Sequence, residues 1–150
     1  MTATVIKQAI PASDGFELAA TIYGDGADVV IINSATAVPR RYYKAFAAFL
    51  ADEGYTVVTY DYRGIGDSRP ESLRGFECKA SDWGLLDMQG VLDWTLAEYD
   101  PQVLFVVGHS AGGQQAGMLV GSDRINAMAT MSSQSGYWGC LLYTSDAADE

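Results

Sequence analysis

Short apolar runs recur along the chain and predict buried strands. Each run is continuous rather than alternating, which is typical of strands that are covered on both faces in a parallel sheet. The runs are VVIIN (29–33), YTVVTYD (55–61), VLFVV (103–107) and RINAMATM (124–131). Upstream of them, residues 4–24 predict two short strands joined around Asp14-Gly15, a dipeptide suited to tight hairpin turns.

Stretches with helical spacing lie between these runs. In residues 40–54 the aromatic and leucine side chains recur at helical intervals, and Gly54 stands where a C-cap is expected. Ser81-Asp82 suits the N-cap and first turn of a second helix that extends to residue 99, and a third helix is predicted over residues 111–120. Two antiparallel strands followed by alternating strands and helices predict an α/β fold, a mostly parallel sheet with helices on both faces.

Composition and charge narrow the class of protein. The chain is 49% hydrophobic and 19% charged, which is typical of a globular domain. Its formal net charge of −10 excludes nucleic acid and anionic membrane surfaces as expected partners, because both require a basic surface. Cys78 and Cys140 are too few for a disulfide framework or a four-cysteine zinc site. Without a secretory signal or an apolar run of about 18 residues, the sequence predicts a cytoplasmic protein that does not span a membrane.

A glycine-flanked serine follows the third apolar run and is the main candidate for chemistry. Gly108-His109-Ser110-Ala111-Gly112 matches G-x-S-x-G, between a predicted buried strand and a predicted helix. That context suits a sharp turn that lifts a serine hydroxyl above the carboxyl end of the sheet, where the two outer glycines allow close backbone approach. The alternative is a Ser-Gly helix N-cap of the kind found in nucleotide-binding folds, but the chain has no phosphate-loop motif.

These motifs, taken in order, resemble the α/β-hydrolase superfamily. The resemblance covers residues 5–139 and rests on the strand ending at Asn33, on DYRGIGDSRP (61–70), on GHSAGGQ (108–114) and on SGYWG (135–139). It is closest to a bacterial group of predicted serine hydrolases related to the serine aminopeptidase and lysophospholipase-like branch. The resemblance implies no metal and no organic cofactor.

The resemblance also implies roles for individual residues. Ser110 matches the nucleophile, and the backbone N–H of Ala111 matches one donor of the oxyanion hole. The other donor comes from the loop after the strand at 29–33, for which we take Thr36. Gly108 and Gly112 match the glycines that shape the nucleophile turn.

Two neighbouring features are expected to be structural. His109 is the only histidine of the chain, but adjacent residues on a tight turn point in different directions, so it cannot easily reach Ser110 Oγ. In the segment after the second apolar run, we expect Asp61, Arg63 and Ser68 to tie the loop down rather than to act in catalysis.

The catalytic base and its acid partner are therefore expected outside this sequence. The family order is Ser, acid, His, and Asp123 comes too early to be the acid. We interpret residues 1–139 as the N-terminal portion of a truncated α/β-hydrolase domain, and the tail at 140–150 as a non-native segment translated from an adapter; a native acidic terminus is the alternative. Such a fragment would expose a sheet edge and helix-packing surface, so we expect poor solubility.

The sequence thus predicts a serine hydrolase that cleaves a carboxylic ester, or an amide or thioester, through an acyl-enzyme on Ser110. Its expected partner is a small-molecule acyl substrate, and this chain alone is expected to be inactive. The alternatives are a non-catalytic ligand-binding protein of the same fold and an acyltransferase that uses the same serine.

Overall fold

A six-stranded sheet forms the centre of the computed structural model, which describes residues 4–134. The strands are β1 (Val5–Pro11), β2 (Glu17–Tyr23), β3 (Val29–Asn33), β4 (Thr56–Tyr60), β5 (Leu104–His109) and β6 (Ala127–Met131). Their spatial order is β1-β2-β4-β3-β5-β6. The first three in this order are antiparallel neighbours, while β4, β3, β5 and β6 run parallel. The predicted fold class is confirmed.

Helices cover both faces of the sheet. They are α1 (Lys44–Asp52), α2 (Ala80–Asp82), α3 (Gln89–Tyr99) and α4 (Ala111–Gln114), with a π-helical segment at Trp83–Met88 that joins α2 to α3. Short 3-10 turns occupy Arg40–Tyr43, Gly66–Ser68, Gln115–Met118 and Ser122–Arg124. Gly54 follows α1 with φ +97°, a conformation that favours glycine and confirms the expected helix end.

The central strands divide their side chains between two hydrophobic layers. In β3, Val29 and Ile31 join the larger cluster with side chains of α3, whereas Val30 and Ile32 join a second cluster under α1. Every residue of β3 and β4 is buried. This two-sided burial explains why the runs are continuous rather than alternating.

The predicted helix boundaries needed correction at three places. The helix expected over 111–120 is only a four-residue α4 followed by a 3-10 turn, because its three glycines disfavour a regular helix. Ser81 is not the N-cap: Lys79 takes that position, and its N–H donates to the Asp82 carboxylate at 2.8 Å. The helix expected over 40–54 begins with a 3-10 turn before α1.

Two ion-pair groups hold the loop after β4, as expected from the sequence. The buried Asp61 carboxylate pairs with the Arg40 guanidinium and accepts the Arg40 backbone N–H at 2.6 Å. Ser68 Oγ donates to Asp61 O at 2.7 Å. Arg63 binds Asp14 and the fully buried Asp87 through its guanidinium. These contacts tie Asp61, Arg63 and Ser68 into the fold, which agrees with the structural role expected for them.

The outer strand β6 contacts the rest of the sheet only through β5 within the described residues, and all five of its residues are exposed. No helix in this part of the chain combines the length and apolarity that a bilayer crossing requires. The proposed boundary at residue 139, Cys140 and the tail at 140–150 lie outside the described residues, so they stay predictions.

Candidate active site

Ser110 lies on a sharp turn between β5 and α4. Its backbone has φ +50° and ψ −115°, a conformation that costs a non-glycine residue about 1–3 kcal/mol. Hydrogen bonds hold this conformation from both sides: the Ser110 N–H donates to Met131 O at 2.8 Å, and Ser110 O accepts from Ser133 Oγ at 3.0 Å. The serine is thereby fixed between the carboxyl ends of β5 and β6.

The glycines around Ser110 allow this turn to pack closely. A Cβ on Gly108 would overlap with the backbone of Gly113, so the end of β5 and the first turn of α4 touch directly. A Cβ on Gly112 would overlap with the Asn33 carbonyl at the end of β3. Gly108 therefore allows close contact between β5 and α4, and Gly112 allows close contact between α4 and the end of β3; their role in shaping a nucleophile turn stays a prediction.

The arrangement leaves a partly exposed serine beside backbone donors. Ser110 is neither buried nor fully exposed, and Ala111 is the first residue of α4. The first N–H groups of a helix have no intrahelical acceptor. At this turn the Gly113 and Gln114 N–H groups donate to Ser110 O, both at 3.1 Å. The N–H of Ala111 therefore has no acceptor within α4, which is what an oxyanion donor requires.

The loop after β3 reaches the same end of the sheet. The pairing of Asn33 with Gly108 places the start of this loop beside the serine turn. Thr36 and Ala37 are the exposed centre of a turn that closes with the Val38 N–H donating to Ala35 O at 3.1 Å. Ala37 has φ +60°, as the third position of a type II turn requires. The structure thus brings the Thr36 loop and Ser110 to one edge, and the role of Thr36 as oxyanion donor stays a prediction.

The His109 side chain contacts Tyr43, the last residue of the 3-10 turn that precedes α1. Its Nδ1 lies 2.9 Å from Tyr43 Oη, and the two rings meet edge to face. No hydrogen bond joins His109 to Ser110 Oγ among the described residues. This placement agrees with the expected structural role of His109. The sequence did not predict the contact between Tyr43 and His109, because Tyr43 lies in an aromatic run that indicated only a helix.

No base for Ser110 is found among residues 4–134. Asp123 lies in the 3-10 turn that precedes β6, at the opposite end of that strand from Ser110, so it is placed too far away to be the acid, as expected. The remaining late acids, Asp146, Asp149 and Glu150, lie outside the described residues. Within this described part, no three His, Cys, Asp or Glu side chains come together in a way that could hold a metal ion.

Comparison with known protein families agrees with the fold class of the structure. A family model described as alpha/beta hydrolase fold matches residues 28–148. A comparison with curated protein sequences gave no significant match.

Solved structures with the same fold come from several organisms. An esterase of Pyrococcus furiosus superposes with a TM-score of 0.73 at 22% identity, over 87% of this chain and 52% of its own. An alpha/beta hydrolase of Novosphingobium aromaticivorans gives 0.66 at 22% identity, over 87% and 45%. An epoxide hydrolase of Vigna radiata gives 0.65 at 20% identity, over 84% and 38%. The chain spans about half the length, or less, of these proteins.

Proposed function

Because the chain belongs to the alpha/beta hydrolase fold family, we propose that it forms the nucleophile-bearing part of a serine hydrolase that cleaves carboxylic esters. The observation that carries this proposal is the backbone of Ser110, with φ +50° and ψ −115° between a buried parallel strand and a helix. A strained turn that is held by hydrogen bonds on both sides presents the hydroxyl for attack. A serine nucleophile suits acyl transfer, and the Pyrococcus furiosus protein that shares the fold is described as an esterase.

The chemistry proceeds through an acyl-enzyme. Ser110 Oγ bonds to the ester carbonyl carbon and gives its proton to a histidine base, and the carbonyl oxygen becomes an oxyanion. The N–H groups of Ala111 and Thr36 bind this oxyanion, each worth about 3 kcal/mol of transition-state stabilisation. The bond to the leaving alcohol breaks as the histidine returns the proton to it. Water then cleaves the Ser110 ester by the same steps.

The base and the acid that orients it are part of the proposal. In the order of this family both follow the nucleophile along the chain, and residues 4–134 contain neither near Ser110. We therefore assign them to a later part of the complete protein that this sequence does not include. On this basis the 150-residue chain is inactive, because the members of a triad act as a unit.

Active-site labelling tests the proposal. The complete reading frame is treated with a fluorophosphonate, beside the variants Ser110→Ala and Ser122→Ala. Ser122 is an exposed serine in the turn before β6, so it serves as the matched control. We expect labelling of the wild type and of Ser122→Ala, and none of Ser110→Ala. Equal labelling of all three, or none at all, would contradict a nucleophilic Ser110; no labelling together with tight ligand binding would favour a non-catalytic binding protein.

Product analysis separates hydrolysis from acyl transfer. With an ester substrate and added alcohols or amines, a hydrolase releases mainly the free acid. An acyltransferase gives the transferred ester or amide as the main product, and this outcome would replace the proposed reaction with that alternative.

A further inference from the structure

Three buried tyrosine hydroxyls bind three consecutive residues at the carboxyl end of β3. The bonds run from Tyr60 Oη to Asn33 Oδ1 at 2.6 Å, from Tyr62 Oη to Ser34 O at 3.0 Å, and from the Ala35 N–H to Tyr43 Oη at 3.0 Å. All three side chains are buried: Tyr60 is 0% exposed, Tyr62 is 1% exposed and Tyr43 is 5% exposed. The start of the loop that carries Thr36 is therefore held by side chains from two other elements.

Tyr43 differs from the other two because its hydroxyl also reaches the serine turn. Tyr43 Oη accepts the Ala35 N–H and lies 2.9 Å from His109 Nδ1. A phenolic hydroxyl can take part in both hydrogen bonds at once. One hydroxyl thus joins the loop after β3 to the residue that precedes Ser110.

From this bridge we infer that Tyr43 is a positioning residue, which holds the loop donor of the oxyanion hole in register with Ser110. The inference rests on the proposed function of Ser110. An oxyanion donor is effective only within about 2.7–3.1 Å of the oxyanion, so a small shift of the loop weakens it. The Ala35 N–H is occupied by Tyr43 and is not free to bind substrate, and the next amide along the loop is that of Thr36.

The Tyr43 hydroxyl is suited to this task by its surroundings. Burial raises the pKa of Tyr43, so its hydroxyl keeps its proton at neutral pH. The ring packs in the hydrophobic cluster beneath α1, together with Ile32 and Ala47. A phenylalanine at this position would keep that packing and remove only the two polar contacts.

The test compares Tyr43→Phe with Tyr42→Phe in the complete reading frame. Tyr42 is 70% exposed and is the matched control. For Tyr43→Phe we expect hydrogen exchange at the Ala35 amide to be at least about tenfold faster. We also expect kcat for ester hydrolysis to fall by about 10- to 100-fold, with KM changed less than about twofold, since the lost interaction acts on the transition state. Tyr42→Phe should match the wild type in all three measurements.

A second pair of variants, both at His109, tests the same hydrogen-bonded bridge. His109→Asn keeps a polar atom near the position of Nδ1 and should retain most of the activity, whereas His109→Leu should lose kcat as Tyr43→Phe does. Unchanged kcat in Tyr43→Phe and His109→Leu would overturn the positioning role, as would unchanged exchange at Ala35. A wild type that cannot be labelled at Ser110 would instead overturn the proposed function, so the two failures are distinguishable.

Discussion

Replacing Ser110 with glycine should stabilise the fold even though it removes the proposed nucleophile. The serine has φ +50° and ψ −115°, which costs an L-residue about 1–3 kcal/mol. Glycine avoids this cost but loses about 0.4–1 kcal/mol through the greater freedom of the unfolded chain. Alanine keeps the Cβ and the strain, so Ser110→Gly should exceed Ser110→Ala in unfolding free energy by about 0.5–2 kcal/mol.

Thermal and urea unfolding of the two variants, in the complete reading frame, measure this difference. It corresponds to about 1–8 °C in Tm for a protein of 150–250 residues. Ala48→Gly, at a half-buried position in the middle of α1, is the control and should lose about 0.5–1 kcal/mol. If Ser110→Gly is no more stable than Ser110→Ala, the turn does not store strain, and the reasoning about the serine fails.

Three further predictions concern packing, pH and exposed surface. Gly112→Ala places a Cβ against the backbone at the end of β3 and should lower the unfolding free energy by about 1–3 kcal/mol. The control is Gly117→Ala, where the new Cβ meets open space and the unfolding free energy should change by less than about 0.5 kcal/mol. Burial raises the pKa of both Tyr60 and Tyr62 above that of an unfolded tyrosine, near 10. Each of these two tyrosines should therefore lower the unfolding free energy in urea by about 1.4 kcal/mol per pH unit as the pH rises above 10. Tyr62→Phe should make the fall shallower by that amount; a Tyr62→Phe profile that parallels the wild type up to about pH 11.5 would contradict this. The 150-residue chain should bind a hydrophobic dye strongly, because an apolar groove of about 280 Å³ lies between α1 and β6; cooperative unfolding without dye binding would show that this surface is covered.

The strands were predictable because burial on both faces leaves a continuous apolar run. The fold class followed from the order of those runs, but the position of β3 between β4 and β5 depends on long-range pairing that periodicity does not encode. The length of α4 was overestimated, since the glycines that permit close contact with β3 and β5 also weaken the helix.

At the site, local sequence predicted Ser110 and its glycines but not their supports. Tyr43 contacts the Ala35 amide, 8 positions away in the sequence, and His109, 66 positions away. Ser110 is bound by Ser133, which is 23 positions away. Nothing in a one-dimensional pattern marks these pairs, because the spacing is set by how the sheet folds. The expectation that His109 does not reach Ser110 Oγ needed only turn geometry, because that argument is local, and the contact of His109 with Tyr43 agrees with it.

The hydrogen bonds from Met131 and Ser133 to Ser110 can form only after both residues have been synthesised. Ser133 follows Ser110 by 23 positions, which at ribosomal speeds of about 5–20 residues per second is a delay of about 1–5 s. During this interval the nascent chain lacks the acceptor at Met131 and the donor at Ser133 that hold the unfavourable backbone at Ser110. The turn at Ser110 therefore reaches its final geometry only after the strands at the centre of the sheet have been synthesised.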